Sequence, residues 1–239
     1  MRSAALAVSL PFAYLLLAGC SKEKDSPPAV PVPVAAPAST LSQQELEAES
    51  SWSVKRGVVT LTSQTRTFRV CGATVDLTLT EQLDGLLDRV YADMGNKPIY
   101  VEVYGNRGEP QEPQAAPTTF NVEELLYATT ENPAGACVQP VGSYELQARG
   151  SEPSWSIDVQ QDTMLLKQMS APTEIKFAAV ETADTEGTVT YRAGADRHVL
   201  ELVITQRACR NAITNEFYAY SATARLDKQT LSGCARVGG

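Results

Sequence analysis

The stretch at residues 67–105, TFRVCGATVDLTLTEQLDGLLDRVYADMGNKPIYVEVYG, decides the fold of the first half of the chain. Apolar residues alternate with polar ones before Thr80 and again after Pro98, and this period of two indicates half-buried strands. Between these strands the apolar residues take a helical spacing: Leu83, Leu86, Leu87, Val90, Tyr91 and Met94. Because Thr80 is a suitable N-cap and Gly95-Asn96 a suitable stop, the pattern predicts one helix among strands.

The remainder of residues 51–140 extends this strand-rich pattern in both directions. Val59 and Leu61 predict a strand ahead of the stretch, and residues 105–117 form a Gly/Pro-rich loop. Residues 120–128 fit either a last strand or a helical turn, and Cys137 ends the unit. The segment at residues 106–119 is longer than a hairpin needs, so we expect either a binding loop or a disordered excursion there.

The second half, residues 141–239, contains no convincing helical pattern. Apolar residues alternate with polar ones in several short runs: Trp155, Ile157 and Val159; Ile175, Phe177 and Ala179; Val189 and Tyr191; Leu200, Leu202 and Ile204; and Tyr218 to Leu226. Turn signals at residues 184–187, 194–197 and 227–229 separate the later runs. This spacing predicts an antiparallel β-barrel or sandwich domain.

The N-terminus carries the pattern of a bacterial lipoprotein signal. An apolar run at residues 4–17 follows Arg2 and closes with Leu17-Ala18-Gly19-Cys20, which resembles the lipobox of signal peptidase II. We expect residues 1–19 to be removed and Cys20 to be lipidated, which anchors the protein to the membrane. Ser21 after the cysteine implies the outer membrane, on its periplasmic side. The Pro/Ala-rich residues 20–50 are expected to be a disordered tether.

The composition argues against several classes of function. A formal net charge of −8 disfavours a nucleic-acid partner, because phosphates require a concentrated Lys/Arg surface. His198 is the single histidine, so a His-Glu-x-x-His zinc site cannot form, and no Gly-x-Ser-x-Gly elbow accompanies it. We expect His198 to be an exposed structural residue and Trp155, Met164 and Met169 to pack in or around the core. No metal site, cofactor or catalytic residue is predicted.

The cysteines predict two disulfides. Besides Cys20 there are four, and an even number in an oxidising compartment favours a disulfide framework. Three pairings are possible. We expect Cys71–Cys137 and Cys209–Cys234, because each of these pairs lies within one half of the chain.

The first half resembles the OB-fold C-terminal domain of the NlpE-like envelope lipoproteins. The resemblance rests on Thr67-Phe68-Arg69-Val70-Cys71-Gly72, a leucine-rich helix ending near Tyr91, and Pro98-Ile99-Tyr100-Val101-Glu102-Val103-Tyr104-Gly105. It implies an OB-like β-barrel and a Cys71–Cys137 disulfide. The N-terminal Cys-x-x-Cys domain linked to copper in that family is missing here, so a copper function is not implied.

The second half looks like a module of uncharacterised bacterial lipoproteins that has an Asn-Glu-Pro-Phe-Trp entry and a Cys…Gly-Cys-Ala exit. The corresponding residues are Ser151-Glu152-Pro153-Ser154-Trp155 and Cys209 to Gly233-Cys234-Ala235. We therefore expect a mainly β protein, an OB-like barrel with one helix followed by the antiparallel domain. The expected function is non-enzymatic: binding of an envelope protein or small molecule, or stress sensing. The alternative is a periplasmic inhibitor of a lytic enzyme such as lysozyme.

Overall fold

The computed structural model describes residues 52–108, 118–140, 142–169 and 173–238. The predicted signal peptide, Cys20, the predicted tether and most of the loop at 106–119 lie outside these residues. The protein is mainly β, as predicted: a closed five-stranded barrel is followed by a curled nine-stranded antiparallel half-barrel, and two helices accompany them.

The barrel has the strand arrangement of an OB-fold. Its strands are β1 (Trp52–Leu61), β2 (Arg66–Val70), β3 (Leu77–Glu81), β4 (Ile99–Arg107) and β5 (Thr119–Thr129). Neighbours pair in the order β1-β2-β3-β5-β4, and β4 returns to β1 to close the barrel. β3 and β5 run parallel, while the other pairs are antiparallel. Helix α1 (Leu86–Asp93) connects β3 to β4.

The barrel core is formed by the inward-facing strand residues and one side of α1. Leu87, Val90 and Tyr91 are the buried residues of α1. They join Val59, Phe68, Leu79, Ile99, Val101, Val103 and Phe120 in one apolar cluster. The alternation in the sequence thus marks the residues that point into the barrel.

The predicted start of the helix was wrong. Thr80 lies inside β3, where it pairs with Asn121 of β5, and α1 begins only at Leu86 after Gly85. Strand pairing with β5 continues through Glu81, which leaves Thr80 extended and unable to cap a helix. Gly85 has a φ of 72°, a left-handed conformation that glycine adopts without a steric penalty.

Three further elements refine the prediction for the first half. Residues 120–128 form a strand and no helical turn, since β5 covers them. β4 continues to Arg107, so the strand extends into the residues expected to be loop. A short helix that the sequence patterns did not predict, α2 (Pro133–Val138), follows β5.

The half-barrel is one antiparallel sheet of nine strands. These are β6 (Leu146–Ser151), β7 (Ser154–Gln160), β8 (Thr163–Gln168), β9 (Thr173–Ala178), β10 (Glu181–Thr185), β11 (Thr188–Ala195), β12 (His198–Thr205), β15 (Tyr220–Leu226) and β16 (Gln229–Val237). They pair in the order β10-β11-β12-β15-β16-β6-β7-β8-β9. Trp155, Met164 and Phe177 lie among the fully or nearly fully buried residues of its core.

A short hairpin of the second half belongs to the barrel sheet. After β12 the chain leaves the half-barrel and forms β13 (Cys209–Arg210) and β14 (Phe217–Tyr218). β14 pairs with β5, with Phe217 opposite Ala128 and Tyr218 opposite Tyr127. Phe217 packs into the barrel core, so the second half contributes a core residue to the first.

Both predicted disulfides are confirmed. Cys71 is bonded to Cys137, with their Cα atoms 5.1 Å apart, and this bond joins the end of the β2 region to α2. Cys209 is bonded to Cys234, with a Cα–Cα distance of 5.6 Å, and connects β13 to β16. The second bond therefore fixes the hairpin to the half-barrel while β14 fixes it to the barrel.

Candidate functional site

The outer face of β4 and β5 carries a buried cluster of polar and aromatic side chains. Ile99, Val101 and Val103 point into the barrel core, and the alternate residues Tyr100 and Glu102 therefore point outward. Tyr100 and Glu102 are only 1% and 4% exposed as whole residues. Arg236 of the half-barrel covers Glu102, while Arg56 and Tyr127 of the barrel contact Tyr100. Tyr127 of β5 is buried beside them.

We call the contact between the barrel and the half-barrel the junction. At its centre is an ion pair between the two halves. Arg236 of β16 donates two hydrogen bonds to Glu102, one of them from Nε to Oε2 at 2.7 Å. Its guanidinium lies 4.3 Å from the centre of the Tyr127 ring, a cation–π contact. Burial alone would lower the pKa of Arg236, but its hydrogen bonds to Glu102 and the charge of Glu102 outweigh burial and raise this pKa.

A second arginine supports the same carboxylate. Tyr100 donates its phenolic proton to Glu102 Oε1 at 2.7 Å, and Arg56 Nε donates to the Tyr100 oxygen at 2.5 Å. Burial, together with the charge of Glu102, raises the pKa of Tyr100 to about 12 although Arg56 opposes the shift. Arg56 also donates to the carbonyl oxygens of Ala136 and Gln139, so it ties α2 to β1.

Glu216, between β13 and β14, is the second buried carboxylate of the junction. It accepts hydrogen bonds from the hydroxyls of Tyr127, Thr214 (2.7 Å) and Tyr218 (3.0 Å). Burial by itself would raise the pKa of Glu216, but these three hydrogen bonds and the charge of Arg149 hold it below the ordinary value. The Tyr127 and Tyr218 rings meet edge to face with centroids 5.0 Å apart.

A polar cavity of about 290 Å³ opens at the edge of this cluster. We call it the junction cleft. Its walls include Arg56, Arg149, Arg236, Tyr144, Asn132 and Glu131, with Tyr100, Tyr127 and Glu216 at its base. Because ligand pockets occur preferentially where two domains meet, the cleft is the first candidate for a binding site.

The two buried carboxylates beside the cleft are engaged within the protein. Glu102 and Glu216 accept hydrogen bonds from within the protein on both of their oxygens. A general acid or base must reach the proton that it transfers, and these carboxylates are already held by arginine and tyrosine donors. The cleft is also lined by the guanidinium groups of Arg56, Arg149 and Arg236 and by the phenol of Tyr144, all of which are hydrogen-bond donors.

A second cavity of about 700 Å³ lies on the outer side of β1 and β2. This apolar groove is lined by Val58, Val70, Pro98, Pro133 and the Cys71–Cys137 disulfide. Two charged lining residues, Arg69 and Asp76, pair with each other at 2.7 Å on the exposed rim. The groove thus offers an apolar surface but few free polar groups to orient a small ligand.

The residues singled out in the sequence have separate places in the structure. Cys71 and Cys137 border the groove, while Cys209 and Cys234 pack beside the buried tyrosines of the junction. Trp155 and Met164 are core residues as expected. The expectation that Met169 packs in or around the core was wrong, since its side chain is 79% exposed beyond the end of β8. His198 forms an exposed pair with Asp227, Nδ1 to Oδ2 at 2.7 Å, and does not line the junction cleft. Cys20 lies outside the described residues.

The sequence patterns did not predict the residues of the junction cleft. Arg56, Arg149, Glu216 and Arg236 are single charges without a motif. A signal is visible where tyrosine and glutamate recur at every second position: Tyr100, Glu102 and Tyr104 in β4, and Glu216, Tyr218 and Tyr220 in the segment that leads through β14 into β15. Aromatic residues on a face assigned to solvent indicate that something covers that face.

Across residues 52–108, 118–140, 142–169 and 173–238, no three His, Cys, Asp or Glu side chains converge as a metal site would require. Within the same ranges no helix has the length and apolar character to cross a membrane. Comparison with known proteins matched this chain to no family model, no curated protein and no solved structure.

Proposed function

We propose that this protein is a lipid-anchored, non-enzymatic envelope protein that binds a ligand in the junction cleft. The observation that carries the proposal is the cleft itself, a half-enclosed polar cavity at the contact of two fixed β-units. Its two buried carboxylates, Glu102 and Glu216, are engaged within the protein, whereas Arg149 has guanidinium donors without an acceptor among the described residues. A rigid site of this kind binds without first having to order its own side chains.

The envelope location is supported by the N-terminal sequence. Leu17-Ala18-Gly19-Cys20 supports lipidation at Cys20, and Ser21 supports sorting to the outer membrane, on the periplasmic side. The two disulfides agree with an oxidising compartment. The OB strand order of the barrel supports membership of the NlpE-like group of envelope lipoproteins, and with it a role in binding or stress sensing.

Lipid anchorage is tested by metabolic labelling. The protein is expressed in a Gram-negative host fed labelled palmitate, beside the variant Cys20→Ala. Label should enter the wild type and be absent from the variant, and sucrose-gradient fractionation should place the wild type in the outer membrane. Equal labelling of both proteins would refute the anchor, and sedimentation with the inner membrane would refute the sorting.

Ligand binding in the cleft is tested by photo-crosslinking in cells. A photoreactive residue replaces Gln139, which lines the cleft and is exposed, and the matched control carries it at Thr182 on the exposed edge strand β10. We expect an adduct, measured by intact mass or gel shift, from position 139 only. The variant Arg149→Gln should weaken that adduct. Identical patterns from both positions, or none, would count against the cleft as a ligand site.

Inhibition of a lytic enzyme is the second candidate function. It is favoured by the half-barrel and its Cys209–Cys234 bond, since small β-barrel lipoproteins with a terminal disulfide resemble periplasmic lysozyme inhibitors. The purified protein should then lower the rate at which lysozyme clears a cell-wall suspension. An unchanged clearing rate at a large molar excess of this protein removes the candidate.

A further inference from the structure

The junction cleft contains more guanidinium charge than its buried carboxylates balance. Three arginines, Arg56, Arg149 and Arg236, line it, and two buried carboxylates, Glu102 and Glu216, face them. Glu102 is shared, because Arg236 binds both of its oxygens and Arg56 Nε lies 3.7 Å from Oε1. Glu131, the other acidic lining residue, is exposed.

Arg149 is the arginine of the cleft with hydrogen-bond donors that have no acceptor among the described residues. Its Nη2 donates to Gln147 Oε1 at 2.7 Å, which is its one hydrogen bond to a side chain among the described residues. The nearby carboxylate of Glu216 already accepts three hydroxyl bonds, so Arg149 influences it through charge alone. A guanidinium carries five N–H donors, and those of Arg149 at Nε and Nη1 have no acceptor among these residues.

We propose that the junction cleft binds a small organic carboxylate through Arg149. The inference rests on the proposed function and specifies its ligand. The planar fork of a guanidinium matches the two oxygens of a carboxylate, and such charge-assisted pairs are about twice as strong as neutral hydrogen bonds. The half-buried phenol of Tyr144 and the amide of Asn132 line the same space and hold the body of the ligand.

Charge and volume select the class of ligand. With Glu131 counted, three arginines and three carboxylates surround the cleft, so the site favours the ligand that adds the least negative charge. A carboxylate monoanion adds one charge, whereas a phosphate monoester brings about −1.5 to −2 charges at pH 7. The volume of about 290 Å³ is at the lower end of the range for ligand pockets, so the ligand has the size of a monosaccharide or dipeptide. The carboxylate could belong to a sugar acid or to the C-terminus of a peptide, and both present the same group to Arg149.

Calorimetric titration of the full chain tests the proposal. The protein is purified in mild detergent and titrated at constant ionic strength with N-acetyl-alanyl-alanine, with its neutral C-terminal amide, with glucuronate, with glucose and with inorganic phosphate. At least one acid should bind saturably at one site per chain, at least about tenfold more tightly than its neutral partner. Preference between the two acids identifies the source of the carboxylate.

The variant Arg149→Gln should bind that acid with an affinity lower by about tenfold or more. The matched control is Arg192→Gln, which removes a surface arginine of the half-barrel that lies 4.0 Å from Glu201, and it should bind as the wild type does. The comparison of acid with neutral partner uses wild-type protein, so it decides the question even if Arg149→Gln folds poorly. Equal affinity for acid and neutral partner, preference for phosphate, or an unaffected Arg149→Gln would overturn the proposal.

The outcome also separates this inference from the proposed function. An adduct at position 139 without carboxylate binding means that the cleft accepts a ligand of other chemistry, and the inference alone is wrong. Absence of both the adduct and carboxylate binding refutes the two together. Saturable carboxylate binding that depends on Arg149 supports both.

Discussion

The side chains of Glu102 and Arg236, taken without their backbone atoms, are 6% and 15% exposed at the junction of the two β-units. Removing two charges from water is costly, and a buried pair repays this cost only where further hydrogen bonds satisfy the remaining atoms. Here the Arg56, Tyr100 and Tyr127 side chains provide those contacts. The pair therefore makes the stability of each half depend on the other.

Replacing Glu102 by glutamine should lower the free energy of unfolding by about 3–5 kcal/mol, because the charge of Arg236 is then buried without a partner. Urea denaturation measures the change. The matched control is Glu201→Gln, whose partners Arg192 and Arg225 are exposed, and it should cost under about 1 kcal/mol. Similar losses in both variants would mean that the junction pair is as well solvated as a surface pair.

Glu216 should make stability fall in acid. The folded state lowers its pKa, so the stabilisation is fully present above the ordinary glutamate value of 4.5 and is lost as the pH falls through the lowered pKa. Glu216→Gln should be less stable than wild type at neutral pH and show a shallower loss on acidification. Denaturation curves at several pH values measure both, and parallel pH profiles would contradict the role given to Glu216.

The strands β16 and β6 of the half-barrel approach each other closely at Gly233. At Gly233 in β16 a Cβ atom would lie 2.1 Å from the carbonyl oxygen of Arg149 in β6 and 2.9 Å from the Trp155 ring. Trp155 also covers Gly150 and donates from Nε1 to the Ser232 carbonyl oxygen at 3.3 Å. Glycine at this position therefore allows the indole to lie flat against two paired strands.

The variant Gly233→Ala should lower the free energy of unfolding by about 1–3 kcal/mol or more, since β16 and β6 must move apart. Gly194→Ala is the matched control, because the nearest atom to its Cβ would be the His198 carbonyl oxygen at 3.8 Å. The control should be neutral or slightly stabilising. Thermal unfolding of both variants provides the comparison, and equal stability would contradict the close packing.

The strands of both units could be predicted because each buries one face in its own core. Ile99, Val101 and Val103 predict β4 from their spacing alone. Helix α1 was harder to place, since the capping signal at Thr80 competes with the pairing of β3 to β5, and pairing is a contact between distant residues. The local sequence does not show whether Thr80 caps the helix or continues the strand.

The candidate site could not be predicted for the same reason. Tyr100 and Glu102 occupy the face that alternation assigns to solvent, and Glu102 is paired with Arg236, which lies 134 positions further along the chain. The disulfides could be predicted because four cysteines allow only three pairings, and one of these keeps each bond within one half of the chain. An arginine or glutamate side chain has many possible partners, so Arg149 and Glu216 can be identified as site residues only from the contact between the two β-units.

The whole molecule should unfold as one cooperative unit. β14 pairs with β5, Phe217 lies in the barrel core, and the Arg236–Glu102 pair spans the junction. The chain has two tryptophans, so the variant Trp52→Phe retains only Trp155 as a fluorescent reporter of the half-barrel. Its fluorescence should change at the same urea concentration as its far-UV circular dichroism. Two separated transitions would show that the units are independent.

The separation of 134 residues between Glu102 and Arg236 also bears on folding kinetics. Contacts between distant parts of a chain close a long loop and are slow to form. We expect this pair to form after the transition state, once the barrel and half-barrel have each collapsed. Glu102→Gln should then leave the folding rate nearly unchanged and speed unfolding. Resistance to slow inactivation would therefore depend on the last contact that the chain makes.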